Sequence, residues 1–175
     1  EPFKGLFTQG MVTHKTYKDT KGNWLDPEEI VQTDGILKDL KGNEVSIGKI
    51  EKMSKSKKNV VDPEEIISTY GADTARLFML SDSPPERDLD WTESGIDGAW
   101  RYVNRLWRLA NNNSGQGGRA ISPLERTNLT ALLHKTIDSV TKDLDAFRFN
   151  KAIARIRELT NFLEKEQETI DPNNY

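Results

Sequence analysis

No cysteine occurs in the 175 residues, which excludes disulfides, thiolate zinc sites and a cysteine nucleophile. Histidine is almost as scarce. His14 and His134 are far apart in the sequence, so a histidine-built metal centre is not expected and no metal is assigned to this chain. No apolar run approaches the roughly 18–20 residues that a bilayer crossing needs. Nor does a charged start lead into an apolar stretch and a small-residue cleavage site. The expectation is a cytoplasmic protein with no membrane role. Excess positive charge is lacking too: 25 basic against 28 acidic residues give a net charge of −3, which taken alone argues against a nucleic-acid binder.

What is present changes that view. A chain of 175 residues holds one domain or two small ones, too little for a complete multi-substrate enzyme. It opens Glu1-Pro2-Phe3-Lys4-Gly5-Leu6-Phe7 without cap or lead-in, and is read as a piece of a longer protein. Hydrophobic residues make up 35% and charged residues 30%, with a mean hydropathy of −0.71, so four Trp and six Phe must anchor a core beneath an ionic surface. The charge is segregated. Lys49 to Lys58 carries five lysines against Glu51 alone, Arg101 to Arg119 four arginines and no acid, and Arg148 to Arg157 four bases and no acid, whereas Asp82 to Asp97 carries six acids against Arg87. That division suggests one side facing a polyanion and a solvated back.

Residues 11–50 read as short strands, with Val12, Tyr17, Trp24, Ile36, Leu40, Val45, Ile47 and Ile50 interrupted by turn signals. Lys-Gly-Asn at 21–23 and at 41–43 predicts two hairpin turns with a residue at positive φ. Asp-Pro-Glu-Glu-Ile at 26–30 and 62–66 predicts two short helices starting near Pro27 and Pro63, with Asp as cap, Pro in the first turn and Glu closing a capping box. The two pairs of motifs share no period, so they are reused local chemistry rather than a repeat. A helix over about 72–81 ends at Pro84-Pro85. Another follows the cap Thr92 to about Asn112, then a linker of Asn, Ser, Gln and Gly at 111–118. Ser122-Pro123-Leu124-Glu125 starts a further helix over about 123–142, and a last one covers about 150–167. Three long antiparallel helices make a bundle. The fold class expected is mainly α with a small β part (α+β).

Lys52-Met53-Ser54-Lys55-Ser56, followed by Lys57-Lys58-Asn59, is a basic loop between a strand ending at Ile50 and the helix capped by Asp62. Two lysines three apart supply ammonium groups to phosphate oxygens as charge develops there, and the serines supply hydroxyls for turn bonds. The alternative is a solvated lysine loop. The pentamer matches residue for residue the K-M-S-K-S signature of class I aminoacyl-tRNA synthetases. Its flanks are Thr8-Gln9-Gly10-Met11-Val12, Tyr70-Gly71-Ala72-Asp73-Thr74-Ala75-Arg76-Leu77-Phe78, Pro84-Pro85-Glu86, Asp88-Leu89-Asp90-Trp91 and Asn104-Arg105-Leu106-Trp107-Arg108-Leu109. With them the chain resembles the bacterial type of leucyl-tRNA synthetase over nearly its whole length, most weakly beyond Gly115. The isoleucyl and valyl relatives share the loop but not the Pro-Pro-Glu…Asp-Leu-x-Trp run.

The resemblance implies that residues 1–91 are the C-terminal end of the catalytic domain. Within it, 13–50 would be a leucine-specific insertion, 52–56 the signature loop and 57–91 a stem-contact region. Residues 92–175 would begin the helical anticodon-binding domain. It implies ATP-dependent activation of leucine to leucyl-adenylate and transfer to tRNA(Leu), a step of protein biosynthesis. Lys55 and Lys52 would be the catalytic residues, and Lys52, Met53, Ser54, Lys55 and Ser56 would bind ATP, which carries Mg2+ in the intact enzyme. The leucine pocket lies mostly outside this chain. So does the family's other signature, His-Ile-Gly-His, which neither His14 nor His134 supplies. The fragment alone is expected to be inactive, and the protein to be a monomer. The rival from another class is a non-catalytic RNA-binding helical module with a vestigial ATP loop.

Two helix faces are candidates for tRNA contact. Arg101, Arg105 and Arg108 lie opposite an apolar side of Ala99, Trp100, Val103, Leu106, Trp107 and Ala110. Arg148, Lys151 and Arg155 flank a stripe of Phe149, Ile153, Ile156, Thr160 and Leu163. With no acid within either stretch, both could meet RNA phosphates, the alternative being solvated faces whose bases pair with neighbouring acids. Trp100, Trp107, Phe149, Phe162, Met11 and Met53 are assigned to packing, and His14 to an ordinary strand position.

Overall fold

The computed structural model describes residues 2–33, 35–112 and 122–170, so most of the expected linker, with Arg119, lies outside the described residues. In chain order the elements are β1 (Val12–Lys18), β2 (Trp24–Leu25), β3 (Ile30–Thr33), β4 (Ile36–Asp39), β5 (Ser46–Lys52), α1 (Pro63–Tyr70), α2 (Ala72–Ser81), β6 (Leu89–Asp90), α3 (Glu93–Asn112), α4 (Pro123–Asp145) and α5 (Phe149–Ile170). The fold is mainly α with a small β part, as expected.

β1 is the hub of the sheet. It pairs antiparallel with β2 and with β5, and parallel with β6 through Val12↔Leu89 and Thr13↔Asp90. β3 and β4 form a separate hairpin. Both Lys-Gly-Asn turns form, with Gly22 and Gly42 each at φ 86°, a conformation that only glycine adopts without strain. The same brace holds each. Asp19 Oδ1 accepts from Lys21 N and Asn23 N, both at 2.8 Å, and Asp39 Oδ1 accepts from Lys41 N at 2.9 Å and Asn43 N at 2.8 Å. These bonds hold both carboxyls below their ordinary range, with the Asn side chain the largest cause. Many apolar side chains of this hairpin region stay exposed, including Leu40, Ile47 and Ile50, so the region builds no core of its own.

Helix starts follow the capping signals. Ser122 and Glu125 close a reciprocal box, with Glu125 N donating to Ser122 Oγ at 3.2 Å and Ser122 N to Glu125 Oε2 at 2.7 Å. Asp62 Oδ1 accepts from Glu64 N at 2.9 Å, and Thr92 Oγ1 from Gly95 N at 3.2 Å. The helix expected at Pro27 is shorter than foreseen. Asp26 N does donate to Glu29 Oε2 at 3.1 Å, but only one 3-10 turn forms before Ile30 enters β3.

The core lies where α2, β6 and α3 meet. Phe78, Leu89, Ile96 and Ala99 are buried together, with Val12, Ile66, Tyr70, Leu77 and Trp91 packed around them, and Phe78 meets Trp91 edge-on at 5.2 Å. α3 enters this core through Ile96 and Ala99, and the buried Tyr102 continues the same line, which is rotated from the expected apolar side. Trp100 and Trp107 are therefore not core residues, Trp107 being 71% exposed, and Met11 is exposed as well. Tyr102 explains the rotation, because its hydroxyl meets Thr160 Oγ1 of α5 at 2.9 Å in a buried contact.

α5 packs against α4 and also touches α2. The turn between α4 and α5 closes with Arg148 N on Asp143 O at 2.8 Å and Phe147 N on Leu144 O at 3.0 Å. This is the Schellman pattern, with Phe147 at φ 55° where glycine is usual. Stacking of Phe147 on Phe7 at 4.9 Å and an edge contact to Phe149 at 5.9 Å help hold that conformation.

Candidate functional site: the lysine loop and the arginine helices

β5 delivers the chain to the loop at Lys52, whose register partner on β1 is Thr13, and Met53 N extends the ladder to Val12 O at 3.1 Å. Ser54 is extended and caps a 3-10 turn over Lys55–Lys57, which Lys58 ends in the left-handed region at φ 52°. Asn59 then turns inward and is fully buried. Lys52, Lys55 and Ser56 are exposed, and Met53 and Ser54 are half-buried. The hydroxyls of Ser54 and Ser56 lie 3.3 Å apart, within hydrogen-bond reach.

Ion pairing sorts the lysines. Lys57 pairs with Glu51 of β5. Lys58 reaches back to Asp26 at 3.0 Å and Glu29 at 3.5 Å, and the Asp26 carboxylate raises its pKa. No ion pair joins Lys52 or Lys55 to any acid among the described residues. The loop thus presents two uncommitted ammonium groups on a backbone tied down from behind. Such an arrangement can take up phosphate charge without a nucleophile or base.

His14 sits behind the loop, its Nδ1 3.3 Å from Asn59 O. Burial lowers its pKa, while the bond to the Asn59 carbonyl works the other way. A neutral imidazole donating to that carbonyl fits its placement as a strand residue. Among the described residues no group of three or more His, Cys, Asp or Glu lies together as a metal site, and no helix is long and apolar enough to cross a membrane.

The arginine faces are not free of acids as the sequence suggested. Arg105 grips Glu164 of α5 with two nitrogens, Nε at 2.6 Å, and adds a bond from Nη2 to Asn161 at 2.7 Å. Arg148 and Arg155 both hold Asp143 of α4, at 3.2 and 2.6 Å. Asp143 is only 4% exposed, and the Arg155 bond, more than any other contact, keeps its carboxyl below the ordinary range. These three arginines tie helices together. Arg101, Arg108 and Lys151 are exposed and enter no ion pair among the described residues. Arg101 and Arg108 line an open groove with Trp107 and Arg157, and the Arg157 guanidinium lies 4.5 Å from the Tyr102 ring centroid.

Asn59 and Asp143 were not singled out from the sequence. The first is visible there only as the end of the lysine run, and the second as one acid of a mixed helix.

Residues 44–92, which contain the lysine loop, match the family of class I tRNA synthetases (I, L, M and V). The chain is 62% identical to a leucine–tRNA ligase of Paramagnetospirillum magneticum over 93% of its own length and 20% of that protein. It is 57% identical to the leucine–tRNA ligase of Rhizorhabdus wittichii over 94% of its own length and 19% of that protein. Among solved structures it resembles the ternary complex of Agrobacterium radiobacter K84 agnB2 LeuRS with tRNA and LeuAMS, with a TM-score of 0.66 and 28% identity over 98% of this chain and 19% of that one. The chain spans about a fifth of the length of these relatives, and along nearly all of its own length it is similar to leucine–tRNA ligases, with a class I synthetase match over its loop.

Proposed function

We propose that this chain is the segment of a leucine–tRNA ligase that carries the ATP-phosphate loop and the first helices to meet tRNA. Leucine and ATP give leucyl-adenylate and pyrophosphate, and leucine then passes to a terminal ribose hydroxyl of tRNA(Leu). The observation that carries the reading is the sorting of the loop lysines. Lys57 and Lys58 are neutralised by Glu51, Asp26 and Glu29, while Lys52 and Lys55 stay exposed and without an ion pair among the described residues. Lys55 is the main phosphate ligand, Lys52 assists, and Met53, Ser54 and Ser56 shape the turn. Mg2+ arrives with the nucleotide. Leucine is held mostly by parts of the enzyme beyond this chain. Residues 1–91 end the catalytic domain and 92–175 begin the anticodon-binding domain, in an enzyme acting as a cytoplasmic monomer. Among the tRNA candidates, Arg101, Arg108 and Lys151 are the available contacts, because Arg105, Arg148 and Arg155 are engaged by carboxylates.

In the full-length enzyme, Lys55→Ala is expected to slow adenylation by roughly 10²–10³, the scale for removing one preorganised charge from a transition state, with leucine affinity little changed. Lys52→Ala costs less. Leucine-dependent ATP–pyrophosphate exchange reads both. A collapse of leucine affinity with an unchanged rate for bound substrate would assign Lys55 another role, and full activity in both variants would favour the non-catalytic RNA-binding module.

A further inference from the structure

We propose that Asn59 is the positioning residue of the lysine loop: its buried side-chain amide fastens the two ends of the loop to each other and to the sheet, and so sets where Lys55 presents its ammonium group. The inference rests on the ATP-loop reading above.

Asn59 has no exposed surface, and a buried amide must satisfy both its acceptor and its donors. It does so with four backbone partners. Oδ1 accepts from Ser54 N at 2.9 Å. Nδ2 faces the carbonyls of Glu51 at 3.1 Å, His14 at 3.2 Å and Lys52 at 3.4 Å. The amide orientation is dictated, since Ser54 N–H can only donate and the three carbonyls can only accept. One side chain thus closes residues 54–59 into a ring that carries Lys55, and anchors that ring to β5 and, across the register, to β1. Its own carbonyl faces His14 Nδ1.

The residue type is specific to the task. An aspartate would keep the bond from Ser54 N–H but would set a carboxylate against three carbonyl oxygens. A leucine would leave one donor and three acceptors of the backbone without this partner, each unsatisfied buried group being costly. Lys58, beside it in the left-handed region and paired with Asp26, braces the same end of the ring. Every hydrogen bond of the Asn59 side chain is to protein backbone, so it acts on the reaction only through the groups that the ring displays.

The test is a double-mutant cycle in the full-length ligase, measuring pyrophosphate exchange, KM for ATP and leucine, and melting temperature. Asn59→Ala is expected to lower kcat roughly 10- to 100-fold, the penalty for a reacting group misplaced by about 1 Å, with KM for leucine unchanged and the protein still folded. Asn59→Asp falls at least as far. On a Lys55→Ala background, Asn59→Ala costs less than about threefold, because the group it positions is already gone. Should Asn59→Ala not fold, Asn59→Ser, which keeps an acceptor and a donor, takes its place in the cycle. Losses that multiply fully in the double variant would make Asn59 a purely structural residue and overturn the proposal, as would wild-type exchange in Asn59→Ala. If Lys55→Ala alone has no effect, the ATP-loop reading itself fails. If Lys55→Ala is slow and Asn59→Ala is not, only the positioning role falls.

Discussion

Two glycines on one helix show how far a single Cβ is decided by its neighbours. An alanine in a helix interior is worth about 0.5–1 kcal/mol over glycine. At Gly98 the added carbon meets nothing within 4 Å, so Gly98→Ala is expected to stabilise the protein by about that amount. At Gly95 it would sit 2.4 Å from Phe78 Cε2 and 2.8 Å from Thr92 Oγ1. Phe78 is 2% exposed and has no room to swing away, so overpacking of about 1–3 kcal/mol outweighs the helix gain. Gly95→Ala is expected to unfold at lower urea concentration than the parent and Gly98→Ala at higher. Equal midpoints for the two would mean that Phe78 is looser than its packing indicates. Gly10 belongs with Gly95, because a Cβ there would lie 2.0 Å from the Arg87 carbonyl oxygen.

Helices α3 and α5 separate arginines that look alike in sequence. Arg101 and Arg108 are exposed, whereas Arg105 is spent on Glu164. On the proposed tRNA-contact reading, replacing Arg101 and Arg108 by Gln in the full-length protein is expected to flatten the dependence of log K for tRNA on log salt by about one to two units, just under one per lost phosphate contact. Arg105→Gln should leave that slope nearly intact and lower the melting temperature. The reverse pattern would return Arg101 and Arg108 to a solvated face. Helix starts at Pro63 and Pro123 and the two hairpin tips were legible because their signals are local: a cap, a proline, a glycine at positive φ. The lysine pentamer was legible for the same reason. The tie from Asn59 to His14, the Arg105–Glu164 pair and the parallel strand β6 were not, since the partners lie 45, 59 and about 77 positions away. An acid-free stretch says nothing about acids that another helix brings to it, and the face that α3 buries was settled by Thr160 on α5.

For the whole molecule, Asp143 and Glu164 couple helix packing to pH. Both carboxyls are held below their ordinary range, chiefly by hydrogen bonds from Arg155 and Arg105 respectively. A carboxyl depressed in the folded state contributes stability that is present above its unfolded pKa, about 4, and lost as pH falls through the lower folded value. The melting temperature is therefore expected to drop below about pH 4. Asp143→Asn should melt below the parent at pH 7, with the gap closing as the pH falls through that window, and a gap independent of pH would mean that Asp143 acts through its shape alone. The parallel pairing of Thr13 with Asp90 across 77 positions has a consequence for synthesis on the ribosome. The hairpin tips at 19–23 and 39–43 need only neighbouring residues and can close within microseconds of emerging. β1, although made before β6, cannot gain that partner until some 77 further residues have been added, which takes on the order of seconds at ordinary elongation rates. Through that interval the β1 edge at Val12 and Thr13 has no β6 to cover it. An unpaired strand edge is open to pairing with other chains, so this edge is exposed to misassembly until Leu89 leaves the exit tunnel.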